Sequence, residues 1–250
     1  MRITYLGHAS VLIEINGLVA LTDPVLRSRI GHLRRIAPPV RSELLERVDL
    51  VLVSHAHHDH LDVPSLKLLP NAPEVICPPA AERPVGWAGL QASIVRAGVH
   101  LERGSVSIKA VPADHDGRRW PTSRDGGSLG YVLRAGNESV YFAGDTGLFD
   151  EMTEISDIEV ALLPVAGWGP RLGPGHLDPD EAARAAAMIQ PRIAVPIHWG
   201  SYRPLTMRQR EPADAPALRF AARLEQLAPG VSAKILQVGD ALDLGSVEDN

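Results

Sequence analysis

The sequence predicts an α/β fold of four layers, an αββα sandwich in which two sheets face each other and helices cover their outer surfaces. Two observations lead there. Short apolar, β-branched runs recur along the 250 residues and are interleaved with helical patterns. They also fall into two halves, each with several strands and then helices, as two stacked sheets require. No repeat, low-complexity tract or interdomain linker divides the chain, so residues 1–250 read as one domain.

Ile3–Leu6, Val11–Ile15 and Leu18–Leu21 are short β runs, with the hairpin signal Asn16-Gly17 between the last two. Basic residues and Pro38-Pro39 mark Ser28–Arg41 as a surface loop, and Ser42–Arg47 as a short helix after it. Val48–Val53 is a buried strand. Asp62 caps a helix over Val63–Leu69, which stops at Pro70. Glu74–Cys77 is another strand, and Pro78-Pro79 leads into a helix near Ala80–Trp87. Candidate strands then crowd the chain at Ile94–Val95, Leu101–Glu102, Val106–Val111, Leu129–Arg134 and Ser139–Phe142, with a turn at Gly136-Asn137. Glu159–Pro164 is an apolar strand that enters a Gly/Pro-rich loop, Ala166–Gly175. Asp178-Pro179-Asp180-Glu181 is a capping box opening a helix to Gln190. Arg192–Ile197 is the next strand. A helix over Asp214–Leu227 has apolar spacing at Leu218, Ala221, Leu224 and Leu227, and Ile235–Val238 and Ala241–Leu244 close the chain as strands.

The net charge of −5 offers no basic field for nucleic acid. The one cysteine, Cys77, excludes an internal disulfide and reads as a buried inert thiol. No apolar run approaches the ~18 residues of a membrane span, and the N-terminus has no signal-peptide pattern. A cytoplasmic protein acting on a small molecule is expected, with a homo-oligomer left open.

The densest chemistry lies in Ser54-His55-Ala56-His57-His58-Asp59-His60-Leu61-Asp62, on the loop between the central strand and the next helix. His55 and His57, two apart, can reach one cation, and Asp59 and His60 a second one beside it. Imidazole and carboxylate suit zinc first, with manganese or iron as alternatives. Ligands ought to recur at other strand ends. His115 follows Val106–Val111 and would complete three imidazoles. Asp145 follows Ser139–Phe142 and can bridge two cations. His198 follows Arg192–Ile197 and would join Asp59 and His60.

The signature His55-x-His57-x-Asp59-His60, with His115, Asp145 and His198 in this order, resembles the metallo-β-lactamase superfamily. Leu6-Gly7-His8-Ala9-Ser10, Leu21-Thr22-Asp23-Pro24, Phe142-Ala143-Gly144-Asp145-Thr146-Gly147, His176-Leu177-Asp178-Pro179-Asp180-Glu181-Ala182 and Ile197-His198-Trp199-Gly200 look like one branch of it. That branch holds N-acyl-phosphatidylethanolamine phospholipase D and the ascorbate-6-phosphate lactonases. The resemblance implies the αββα fold and a dinuclear site. His57 stands where diiron oxygen-reducing relatives carry Glu, which favours hydrolysis over redox chemistry.

The expected activity is therefore hydrolysis, with a metal-bridging hydroxide cleaving a small anionic phosphodiester or a (phosphorylated) lactone or ester. The alternative is a non-catalytic metal-binding protein with a regulatory or interaction role. Asp59 or Asp145 would orient the hydroxide. The resemblance puts His176 at the site edge, where it would bind an anionic group or protonate the leaving group. His8 would meet substrate, and Asp23 would orient a ligand histidine or simply form a turn. Trp199 is carried as a substrate contact, though it and Trp168 would equally pack. Arg118-Arg119-Trp120 would line an entrance or form a solvated loop, and His58 would lie outside the ligand set. His32 and His100 carry no signal.

Overall fold

The structure, a computed structural model, describes residues 1–120, 127–167, 172–208 and 211–245. One seven-stranded sheet runs in the order Ala241–Asp243, Arg2–Gly7, Ser10–Ile15, Leu18–Thr22, Leu50–Leu52, Glu74–Cys77, Ala92–Ile94. The second, also of seven strands, runs Ser232–Ala233, Ile193–Ile197, Val160–Pro164, Glu138–Phe142, Ser128–Ala135, Val106–Ala113, His100–Arg103. Each sheet is antiparallel where hairpins join neighbours and parallel where a crossover intervenes. Asn16 and Gly17 both have positive φ, 44° and 84°, as the tight hairpin between Ser10–Ile15 and Leu18–Thr22 requires.

The period of two along a strand explains the layering. Leu50 and Leu52 join the core between the sheets, together with Tyr131, Leu133 and Phe142 of the opposite sheet. Val51 and Val53 face the other way, into a second core with Leu66, Ala81 and Val85 of the outer helical segments. Both faces of this strand are covered, which is why its sequence is an unbroken apolar run. Helices Pro179–Ile189 and Ala215–Leu227 cover the outside of the second sheet, contributing Ala182, Ala186, Phe220 and Leu224. The αββα sandwich expected from the sequence is thus the fold. Asp178 forms the expected capping box with Glu181.

Four local readings change. Ser28–Arg41 is not simply a loop: Arg29–Ile30 and Leu33–Arg35 form a hairpin that pairs with Tyr202–Pro204 in a three-stranded sheet. The helix after Asp62 is one turn, Val63–Leu66, rather than reaching Leu69. Ile235–Val238 is no strand; the pairing falls earlier, with Ser232 and Ala233 opposite Ile193 and Ala194. The last helix turns inward a face that shares only Leu224 with the expected stripe. Ala217, Phe220 and Leu224 are buried, while Leu218 is 53% exposed. Two apolar stripes compete on that helix, and the one carrying Phe220 wins because an aromatic ring removes more apolar area from water.

That orientation is testable by urea unfolding. Phe220→Ala is expected to cost about 3–5 kcal/mol, and Leu218→Ala no more than about 0.5 kcal/mol. The reverse order would place the leucine stripe inward.

Candidate metal centre

The residues singled out in the sequence come together at one end of the sandwich. Their positions are fixed by backbone ties between the sheets. The backbone N–H of Leu129 donates to Ser54 O at 2.9 Å, Tyr131 Oη donates to Val53 O at 2.8 Å, and the N–H of His198 donates to His8 O at 2.7 Å. The guanidinium of Arg119 donates to Ala56 O and Leu61 O, both at 2.9 Å, clamping the histidine loop at its two ends. Close approach also needs Gly144, with φ of +63°: a Cβ there would lie 2.5 Å from Ser54 Cβ.

Three imidazoles form the first group. His57 Nδ1 lies 3.0 Å from His55 Nε2 and 3.2 Å from His115 Nε2. The opposite nitrogens of His115 and His55 are already committed. His115 Nδ1 faces Gly175 O at 2.8 Å, which only a donating N–H satisfies. His55 Nδ1 lies 2.9 Å from Ser54 Oγ, whose own proton goes to Asp23 Oδ2. In neutral rings, His55 Nε2 and His115 Nε2 are therefore bare lone pairs pointing at one spot. Neutrality is what their surroundings impose: burial holds His55 well below the usual histidine range and lowers His115 to about 4.

The second group is His60, His198 and Asp59, with Asp145 between the two sets. His198 Nδ1 donates to Ala166 O at 2.7 Å, leaving Nε2 bare, 3.1 Å from His60 Nε2. Burial lowers His198 to about 3. His60 behaves oppositely: burial alone would lower it, but Asp145 and Asp23 hold it well above the usual range. Asp145 and Asp59, despite burial, are held well below the carboxylate range, Asp145 by His198 and His60, and Asp59 by His8 and His60. Asp145 Oδ1 is buried with no hydrogen-bond partner among the described residues, and Asp145 Oδ2 is 3.1 Å from His60 Nε2. The arrangement calls for positive charge, and bare imidazole nitrogens beside an unpaired carboxylate oxygen are the donor set of a divalent cation. Among the described residues four overlapping groups meet the geometric need, His55/His57/His115, His8/Asp59/His60/His198, Asp23/His55/His60 and His115/Asp145/His176.

Asp23 supports both the first and the second group. Its fully buried carboxylate accepts from Ser54 N–H at 2.7 Å and from the Ser54 hydroxyl, and faces His60 Nδ1 at 2.7 Å. Burial raises its pKa, against the pull of His60 and Ser54.

The remaining candidates separate. His176 is half-buried at the cavity wall, its Nε2 3.5 Å from Asp145 Oδ2 and its ring edge-on to His115. His8 is not at the cavity surface. It is 2% exposed, its Nε2 lies 3.2 Å from Asp59 Oδ2, and its ring packs 3.9 Å from that of His198. The sequence placed it against substrate; burial beneath Asp59 makes it a support for that carboxylate. Trp199 is likewise corrected: it is buried, stacked on Tyr5 at 5.9 Å, and donates to Pro196 O, so it packs in the core. His58 turns outward to Trp120 and Arg119. Arg118 pairs with Asp116 at the surface. Trp168 lies outside the described residues.

A cavity of about 590 Å³ opens over the cluster. Its lining combines His57, His58, Asp59, Asp145, His176 and His198 with Leu172 and the hairpin residues Ile30, Gly31, His32 and Leu33. These hairpin residues carried no functional signal in the sequence, because only the three-stranded sheet brings them over the metal side.

Residues 20–199 match the family model described as the beta-lactamase superfamily domain. The chain is 33% identical to a metal-dependent hydrolase of Methanopyrus kandleri, over 97% of this chain and 100% of that one. It is 30% identical to an N-acyl-phosphatidylethanolamine-hydrolyzing phospholipase D of Caenorhabditis elegans over 80% of this chain, and spans 64% of that relative's length. A solved metallo hydrolase of Ignicoccus hospitalis shares the fold, with a TM-score of 0.74 at 23% identity over 98% of this chain and 99% of that one. The chain belongs to the beta-lactamase superfamily, among the metal-dependent hydrolases that match it end to end.

The support given by Asp23 has a measurable consequence. Asp23→Ala would leave the Ser54 and His60 donors unpaired in the interior, and a loss of about 3–5 kcal/mol is expected in urea unfolding. An unchanged midpoint would mean that the loop holds its shape without this carboxylate.

Proposed function

We propose that residues 1–250 act as a dinuclear metal-dependent hydrolase of small esters, lactones or phosphodiesters. His55, His57 and His115 would hold one cation, Asp59, His60 and His198 the other, and Asp145 would lie between them. Zinc suits the imidazole-rich set first, with manganese or iron as alternatives. The observation that carries this reading is the gathering of ring nitrogens, those of His55, His115 and His198 bare in neutral rings, around Asp145 Oδ1, which has no hydrogen-bond partner among the described residues. When bound, the cations supply a water activated at neutral pH and a Lewis acid for the scissile oxygen.

The chain's own groups do the rest. The carbonyls of Gly175 and Ala166 and the carboxylate of Asp23 fix the orientation of His115, His198 and His60. Asp59 and Asp145, both ionised, orient the attacking water. His176 stands at the cavity wall near Asp145, within reach of a leaving group, and donates the proton that group needs. The names of the Methanopyrus and nematode relatives support hydrolysis, the second of a phosphodiester.

Elemental analysis of protein purified without chelator is expected to find close to two equivalents of divalent metal. Asp145→Ala should lower that occupancy and abolish turnover on a panel of phosphodiester, lactone and thioester substrates. No metal after reconstitution with zinc, manganese and iron would overturn the reading. Two equivalents without turnover on any substrate would leave a metal-binding protein of regulatory role.

His176→Ala is expected to keep both metals and the melting temperature while kcat falls ~10²–10⁴-fold, most for poor leaving groups. A rise in KM alone would make His176 an anion binder, and lost metal would make it a ligand.

A further inference from the structure

We propose that the cavity holds an apolar subsite beside the metal centre, and that the substrate is an uncharged ester or lactone whose non-reacting part is an alkyl or aryl group. This rests on the hydrolase reading above and narrows it.

The cavity wall is divided by chemistry. Every acidic residue on it, Asp59 and Asp145, lies on the metal side with His57, His176 and His198. The apolar side chains on the same wall are Ile30 and Leu33 of the hairpin and Leu172 from the loop before His176. Ile30 and Leu33 are not loose surface groups. They pack with Val25 and Tyr202 in a small apolar cluster of their own, which fixes the wall. Leu172 closes over Gly167, where a Cβ would lie 2.8 Å from Leu172 Cδ2. Among the described residues the cavity has no lysine or arginine, and the exposed His32 is the one polar side chain on the hairpin side.

The volume, about 590 Å³, exceeds what a reacting ester group needs and suits a drug-sized ligand. Cations at the histidine cluster can balance charge only at the reacting end. A phosphate or carboxylate set against Ile30, Leu33 and Leu172 would exchange water for apolar side chains, which is costly. An alkyl or aryl group there gains from leaving water. The phosphorylated lactone expected from the sequence is therefore the disfavoured case.

Two measurements test this on the metal-loaded full chain. The first is calorimetric binding of straight-chain alkyl hydroxamates from acetyl to octanoyl, and of the octanoyl compound with a terminal carboxylate. The second is hydrolysis of 4-nitrophenyl esters of the same chain lengths. Burial of a methylene at ~0.8 kcal/mol corresponds to roughly fourfold tighter binding for each added carbon until the wall is filled. The terminal carboxylate should cancel that gain. Leu172 is half-buried and outside the core, so Leu172→Ala should fold normally and flatten the chain-length dependence. Leu172→Lys should in addition restore binding of the carboxylated compound. Affinity independent of chain length, no binding by any hydroxamate, or preference of the wild type for the carboxylated one would overturn the subsite. Chain-length-dependent binding with no ester cleaved would instead leave the subsite standing and count against the hydrolase reading. Cleavage at a rate indifferent to chain length would do the opposite.

Discussion

The candidate site depends on one carboxylate that water does not reach. Asp23 is fully buried, yet its two oxygens take the Ser54 amide, the Ser54 hydroxyl and the Nδ1 side of His60. Its own backbone N–H donates to Leu52 O and its carbonyl accepts from Ser10 Oγ. A charged group in the interior is tolerable only when every oxygen is partnered. Here the partners are the first and last parts of the histidine loop, so satisfying Asp23 shapes that loop. Through Ser54 the effect reaches His55 Nδ1, and directly it reaches His60. One acid thereby fixes which nitrogen of a histidine in each cluster faces inward.

The same region concentrates backbone strain. His8, Asp23 and His198 have positive φ, 61°, 32° and 63°, although none is glycine. Such conformations cost of order 1–3 kcal/mol each and persist only where the surroundings over-determine them. At these positions they do: His198 N–H is tied to His8 O, His8 N–H donates to Ser201 Oγ, and Asp23 N–H donates to Leu52 O. The turns aim His198 and Asp23 into the cluster and set His8 beneath Asp59. The strain coincides with the places where a strand ends and a side chain must point across the gap between the sheets.

Much of this was legible in the sequence, for a physical reason. A metal-binding side chain at the end of a buried strand leaves two marks, an apolar run and then a polar residue out of place. His55, His115, Asp145 and His198 all carry them. Burial on both faces marked the strands themselves. What escaped was set by contacts between distant segments. The hairpin Arg29–Ile30 and Leu33–Arg35 exists because Tyr202–Pro204 pairs with it, and no local pattern announces a partner about 170 residues away. Trp199 borders a ligand, and only the ring of Tyr5 beneath it reveals a packing role. The helix Ala215–Leu227 has two apolar stripes that share Leu224, and the one carrying Phe220 is the one buried.

Metal side and apolar side of the cavity have different structural origins, and this separates what the protein does from what it does it to. The cluster is built from the ends of core strands in both sheets, cross-tied by buried hydrogen bonds, so little there can change without loss of fold. The apolar part of the lining comes from a short hairpin, held by a small apolar cluster of its own, and from Leu172. Ile30, Leu33 and Leu172 belong to none of the groups that could hold a metal ion, so their substitution would change the cavity and leave those groups in place. A rigid scaffold with variable segments over it lets one hydrolytic centre serve many substrates. Identity of 33% to a metal-dependent hydrolase over 97% of this chain therefore argues for a shared reaction class and leaves the substrate to the segments that line the cavity.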